Sequence, residues 1–255
     1  MKDFALQVLT APLGKTHLFS VGQAGFIIKS KSGQLLAIDL YLSDCVERVE
    51  GNVGFKRLLP KILNPDDLKF DVIIATHYHR DHFDMDSVPE MLANGNSRLF
   101  CPWDCEETIK NLEMKEDNIT YVDPGSQMTA GDFNLHFIHC DHGTGAPQAV
   151  GVIVQVDGKT ILEVGDTSLH LDWAEEYLSK GRLDVLIAPI NGAYGNLNEQ
   201  ECVQLVQKLQ PEITIPCHYG MFASHGGNPG LFYKMMKEKG LPLHLFAQGE
   251  ELVLK

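Results

Sequence analysis

Thr76-His77-Tyr78-His79-Arg80-Asp81-His82 sets three imidazoles and a carboxylate in one short stretch, directly after the apolar run Val72-Ile73-Ile74-Ala75. An apolar run that ends in such donors reads as a buried strand delivering side chains to its carboxyl end. Imidazole nitrogen and carboxylate oxygen are donors that zinc, manganese and iron share. One short loop cannot aim all four at a single ion without strain, so two adjacent ions are the simpler expectation. Alternate side chains of an extended segment share a face: His77 and His79 are assigned to one ion, and Asp81 and His82, past the bend, to a second. A solvated histidine-rich loop is the plain alternative.

Four donors do not complete two coordination shells, so further His and Asp residues are expected on strand-terminal loops. Three have that placement. His142 follows the expected strand Phe133 to His139 and opens the turn Gly143-Thr144-Gly145. Asp166 follows Thr160 to Val164 through Gly165, whose missing side chain allows close backbone approach to an ion. His218 follows Ile213 to Pro216 and precedes Tyr219-Gly220. A carboxylate between two cations can bridge them, which points to Asp166. The alternatives are a polar turn residue at His142 and a cap at Asp166 for a helix starting near Ser168.

The rest of the pattern is consistent with α/β organisation in a single domain over residues 1–255. The first forty residues alternate in short runs, Ala5 to Leu9, Thr16 to Val21, Gly25 to Lys29 and Leu35 to Asp39, expected as an antiparallel meander. Helical spacing follows in Phe55 to Leu63, Ser87 to Ala93, Asp104 to Leu112, Leu169 to Ser179, Asn198 to Leu209 and Gly230 to Lys239. Between them strands are read at Asp71 to Ala75, Arg98 to Cys101, Phe133 to His139, Ala149 to Val156, Thr160 to Val164, Val185 to Pro189, Ile213 to Pro216 and Pro242 to Phe246. Two β-rich blocks flanked by helices predict a four-layer αββα sandwich with the ligands at one edge of the paired sheets.

Composition narrows the functions. The net charge of −13, from 34 acidic against 21 basic residues, opposes nucleic-acid binding and leaves an anionic substrate dependent on local cations. No stretch reaches the roughly 20 apolar residues of a membrane span, and Met1-Lys2-Asp3-Phe4 lacks a secretory pattern, so a cytoplasmic protein is expected. The six cysteines are irregularly spaced, which suits free buried thiols in a reducing compartment; Cys101 and Cys105 alone make only half a zinc site.

With these residues in hand, the chain resembles the metallo-β-lactamase superfamily of dinuclear hydrolases. The resemblance is carried by the His77 to His82 run, His142, the Gly165-Asp166 pair and His218 in that order. Gly22-Gln23-Ala24-Gly25-Phe26, Ile38-Asp39-Leu40-Tyr41-Leu42-Ser43-Asp44 and Pro216-Cys217-His218-Tyr219-Gly220-Met221-Phe222 resemble the branch that contains L-ascorbate-6-phosphate lactonase. The resemblance implies His77, His79 and His142 on the first metal, Asp81, His82 and His218 on the second, Asp166 between them, and Asp39 supporting the metal-binding loop from behind. His139 is an alternative third ligand; the Gly-rich turn favours His142.

That arrangement implies two divalent ions, zinc or manganese, and a metal-activated hydroxide attacking a carbonyl, with Asp81 carrying a proton to the leaving alkoxide. Tyr194, in Asn191-Gly192-Ala193-Tyr194-Gly195, is a candidate oxyanion donor or else a buried structural tyrosine. Asn191 and His225, the latter in His225-Gly226-Gly227-Asn228, are candidate contacts to an anionic substrate, against a plain Gly-rich loop. Cys217 is read as core, and Trp103 and Trp173 as packing residues. The expected reaction opens a lactone of a phosphorylated sugar acid such as L-ascorbate 6-phosphate, on a small-molecule substrate, with homo-oligomerisation left open. Phosphodiesterase action on small phosphodiesters is the alternative. The 51 residues from 167 to 217, between Asp166 and His218, leave little room for an inserted nucleic-acid domain. A di-iron redox protein would carry a carboxylate where His79 stands.

Overall fold

The computed structural model describes residues 2–255, whose strands pair into two sheets. The first holds β1 (Thr16–Gly22), β2 (Gly25–Lys29), β3 (Leu35–Ile38), β4 (Val72–Ile74), β5 (Arg98–Pro102) and β6 (Ile119–Val122) in chain order. The second holds β7 (Gln127–Ala130), β8 (Phe133–His139), β9 (Val150–Val156), β10 (Lys159–Glu163), β11 (Val185–Pro189) and β12 (Ile213–Cys217), again in chain order across the sheet. A last strand, β13 (Glu251–Leu254), returns to the first sheet beside β1.

Alternation along these strands sorts their side chains into three apolar compartments. Leu18, Phe26, Ile28, Leu36, Ile38, Val72 and Ile74 meet Leu135, Phe137, Val152, Val154, Val185 and Ile187 between the sheets. The opposite face of the first sheet, with Phe19, Ile27, Ala37, Ile73 and Leu99, is covered by α1 (Lys2–Thr10), α3 (Ser87–Ala93) and α4 (Glu106–Asn111). Ile153, Leu162, Leu186 and Ala188 of the second sheet pack under α5 (Ala174–Tyr177), α6 (Glu199–Leu209) and α7 (Pro229–Glu238). The expected αββα order follows from these compartments. A short α2 (Cys45–Glu50) packs instead with Met221 and Phe222 beside the ligand loops.

Helix α6 shows sequence dictating local structure. Asn198 accepts from the Glu201 amide at 3.0 Å while the Glu201 carboxylate accepts from the Asn198 amide at 2.9 Å, and Cys202, Leu205, Val206 and Leu209 form its buried stripe. Gln210 then turns left-handed and Pro211 follows.

Three expectations are corrected. Ala5 to Leu9 is helical: Phe4, Ala5 and Val8 are buried while Leu6 and Leu9 stand 58% and 57% exposed, and Lys29 Nζ donates to the carbonyls of Val8, Leu9 and Ala11 at the helix end. A lysine that caps from β2 is invisible to local periodicity. Phe55 to Leu63 is not a helix; only Val53–Phe55 makes a turn, because Pro60 cannot donate within a helix and Arg57 instead donates to the carbonyls of Tyr41 and Ser43. Pro242 to Phe246 forms no strand. Its contact with β12 is the His244 amide donating to Thr214 O, and Glu251–Leu254 takes the sheet edge.

Direction determines where the site lies. β1, β3 and β4 run the same way in the first sheet, as do β8, β10, β11 and β12 in the second. Their carboxyl ends meet at one edge, where the Val150 amide donates to Thr76 O and the His218 amide to Gln23 O, both at 3.0 Å across the two sheets.

Candidate metal centre

Loops from that edge bring together residues 195 positions apart in the chain, such as Gln23 and His218. His77, His79 and His142 form one set of potential ligands, Asp81, His82 and His218 a second, and Asp166 joins His77 and His82 in a third; within each set the ligand atoms lie within 4.8 Å of one another. Asp166 Oδ2 stands 3.0 Å from His218 Nε2, 3.4 Å from His82 Nε2 and 3.8 Å from His142 Nε2, so one carboxylate oxygen reaches both sides. His139 points away, paired with Glu176. Asp166 caps no helix; the turn after it starts at Leu171.

The ring nitrogens converge closely. His77 Nε2 lies 2.9 Å from His79 Nδ1, His79 Nδ1 lies 3.1 Å from His142 Nε2, and His82 Nε2 lies 3.2 Å from His218 Nε2. Tetrahedral ligands about 2.0–2.1 Å from a zinc ion are about 3.3 Å apart, close to these separations. The donor set therefore suits metal ions, and His142 Nδ1 has no partner among the described residues.

Tautomers are set from behind. Asp39 is buried and accepts the Thr76 amide at 2.8 Å, the Thr76 hydroxyl at 2.7 Å and His82 Nδ1–H at 2.7 Å. Having given its proton to Asp39, the Thr76 oxygen is an acceptor for His77 Nδ1–H at 3.1 Å. One carboxylate thus turns a lone pair on both His77 Nε2 and His82 Nε2 toward the centre.

Electrostatics divides the sets. Burial, reinforced by His82, holds His77 well below the ordinary imidazole value, and burial lowers His79 to about 4 and His142 in the same direction. Burial also opposes charge on His82, yet Asp166, Asp81 and Asp39 raise it well above the usual value; the same balance, led by Asp166, raises His218 to about 9. Burial raises Asp81 and Asp166, but His82 and His218 outweigh it and hold both well below the carboxylate range. The buried carboxylates demand positive charge, from imidazole protons or from a cation in their place.

The centre opens into a cleft of about 200 Å³ lined by Phe55, Arg80, Tyr194 and His225 above the ligands. Tyr194 is 57% exposed, which corrects the alternative of a buried structural tyrosine. Asn191 does not reach the cleft: its amide donates to Ala193 O and its oxygen accepts from Asn196, so the substrate contact expected of it is corrected. Trp103 packs one face on Tyr121, with ring centroids 4.4 Å apart, and stands 45% exposed on the other. Trp173 packs partly buried beside α5, and Cys217 is buried between the sheets.

Two contributors were not assigned roles from the sequence. Gln23 donates to Asp81 Oδ2 at 2.8 Å. Asp84 is fully buried and accepts the amides of Leu42 and Ser43 and the hydroxyls of Ser43 and Ser87, tying the ligand loop to α2 and α3. Its position two residues after His82 was the available clue. Asp84 also lies near Cys45 and Asp86, but it is saturated with donors, and Asp86 is paired with Arg48.

This fold and this donor cluster define a class, the metallo-β-lactamase fold. A family model described as "Beta-lactamase superfamily domain" matches residues 17–218, and the chain belongs to that superfamily. It is similar to a UPF0173 metal-dependent hydrolase of Anaeromyxobacter dehalogenans, 28% identical over 243 residues, covering 90% of this chain and 84% of the relative. Among solved structures it resembles Igni18, a metallo hydrolase from Ignicoccus hospitalis, with a TM-score of 0.73 at 20% identity over 94% of this chain and 99% of that one. CmlA, a diiron β-hydroxylase from Streptomyces venezuelae, shares the fold with a TM-score of 0.72 at 14% identity, over 96% of this chain and 55% of that one.

Proposed function

We propose that the protein is a metal-dependent hydrolase that opens a lactone of a small acid, plausible substrates being phosphorylated sugar acids such as L-ascorbate 6-phosphate. The observation that carries this reading is the meeting of two nitrogen-rich ligand sets at Asp166 on the floor of one cleft. His77, His79 and His142 would hold one divalent ion and Asp81, His82 and His218 the other, with Asp166 available to both; zinc and manganese both suit these donors. When bound, such ions lower the pKa of water toward about 7 and polarise the carbonyl under attack.

The chain's own groups do the rest. Asp81 is placed to carry a proton from the nucleophile to the leaving alkoxide, with Gln23 fixing its carboxylate. The Tyr194 phenol, standing over the cleft, donates to the developing oxyanion. Arg80 supports an anionic substrate: it lines the cleft, and its guanidinium lies 3.3 Å from Glu50. The name of the relative, a metal-dependent hydrolase, agrees with this class of reaction.

The test is turnover of a lactone panel against bis(p-nitrophenyl) phosphate, with zinc or manganese added. Metal-dependent lactone opening is the expected result. Turnover of the phosphodiester alone replaces this reading with the phosphodiesterase. Iron as the sole bound metal, with an oxidisable optical band, replaces it with redox chemistry.

A further inference from the structure

Gln23 carries information beyond its contact with Asp81. A carboxylate accepts and does not donate, so the Gln23 atom 2.8 Å from Asp81 Oδ2 is the NH2 group. That group has a second proton, and His225 Nδ1 lies 2.9 Å away; the approaches to the stacked His218 ring, 3.2 and 3.4 Å, are longer. Since an amide NH2 only donates, His225 Nδ1 must accept, and the ring proton stands on Nε2. Nε2 makes no hydrogen bond to a described residue, and His225 lines the cleft beside His218 and Asp81. The edges of Phe55, Tyr194 and Phe222 hold the ring in place, with centroids 5.8, 5.4 and 4.9 Å away.

We infer that Gln23 is a positioning residue that locks His225 as a neutral Nε2–H donor, and that this N–H hydrogen-bonds an anionic oxygen of the substrate in the cleft. The inference rests on the hydrolase reading for its substrate, though not for its tautomer. It assigns the same glutamine to two tasks, orienting Asp81 and polarising its neighbour. No bond to His225 is made or broken, and its proton stays on Nε2.

The test uses zinc-loaded protein with nitrogen-15 labelling and inorganic phosphate as the probe. NMR of the His225 ring is expected to show the proton on Nε2, shifting when phosphate is added, and Gln23→Leu is expected to mix the tautomers. His225→Phe keeps a flat ring without the donor and is expected to weaken phosphate binding about 10-fold or more, the scale of a hydrogen bond to a charged group. His225→Gln, which can donate again, is expected to recover part of that loss. A proton on Nδ1 in the wild type, or phosphate binding unchanged in His225→Phe, overturns the proposal. If both results hold while the wild type opens no lactone, the hydrolytic reading falls and the donor assignment stands.

Discussion

Asp39→Asn is the sharpest probe of the centre because it changes a hydrogen-bonding direction and almost no volume. Asp39 adopts φ +47°, a conformation that Asn tolerates better than Ala, so the backbone is preserved. In the variant the side-chain oxygen faces the Thr76 amide, and the NH2 replaces the oxygen that accepted from the Thr76 hydroxyl and from His82 Nδ1. Both partners must reverse. His82 Nδ1 becomes an acceptor and its proton moves to Nε2; the Thr76 hydroxyl, no longer donating to residue 39, donates to His77 Nδ1 and drives that proton to Nε2 as well. Two lone pairs aimed at the ions are lost by one atom's exchange. Loss of such supporting contacts costs 10–100-fold in metal affinity, roughly 1.4–2.7 kcal/mol per site, and here both sites are affected. Folding stability falls less, by about 2 kcal/mol, as three charge-assisted hydrogen bonds become ordinary ones. Calorimetric zinc titration, with thermal unfolding of the metal-free protein as the control, separates the two effects. Wild-type zinc affinity at both sites in a folded Asp39→Asn protein would refute the tautomer argument.

Asp166→Ala removes the shared carboxylate and is expected to cost at least 10–100-fold in activity and to lower zinc content, read by elemental analysis. Gly165→Ala is expected to cost about 1–3 kcal/mol in thermal unfolding, since φ is +71° and a Cβ would meet Cys140 Sγ at 2.9 Å and Val150 O at 3.0 Å. Zinc binding is expected to release protons at pH 7, because against its burial the neighbouring Asp166 and Asp81 push the His218 imidazole up to about 9 and the ion must displace its proton; affinity therefore rises with pH from 7 toward 9, checked by calorimetry in buffers of different ionisation heat. Asp104→Asn is expected to stabilise the fold by about 1 kcal/mol at pH 7: burial raises Asp104 to about 6, so its charge opposes folding increasingly as pH rises from about 4 to 6, and partial exposure reduces the full effect. Unfolding of both proteins at pH 4 and 7 checks the sign, since the difference should vanish at the lower pH.

Much of the fold was legible where a strand reads as an apolar or alternating run ended by a turn. The expected Phe133 to His139 and Val185 to Pro189 match β8 and β11 to the residue. What failed were segments whose state depends on distant partners. Five residues from Ala5 to Leu9 satisfy either period, and the deciding contact is Lys29, about twenty positions later. The edge place beside β1 could go to either of two C-terminal runs, and pairing with a strand more than 230 residues earlier selected the second.

The ligands were legible for a different reason: metal chemistry restricts residue type, and strand ends restrict position, so His and Asp after apolar runs are few. Supporting residues obey no such restriction. Gln23, Asp39, Tyr194 and His218 all lie at the centre, and they account for four of the seven non-glycine residues with positive φ among the described residues. Each such conformation costs on the order of 1 kcal/mol outside glycine. The cost is concentrated where side-chain direction matters most, at turns that must aim an amide, a carboxylate, a phenol or an imidazole at one centre. Glycine at those positions would relieve the backbone and remove the group being aimed, so the strain persists because the function of each turn is its side chain. Nothing in a one-dimensional pattern marks it, since left-handed glutamine and helical glutamine are spelled alike. The tertiary edge where both sheets end is what gives Gln23 its two acceptors, 58 and 202 positions away.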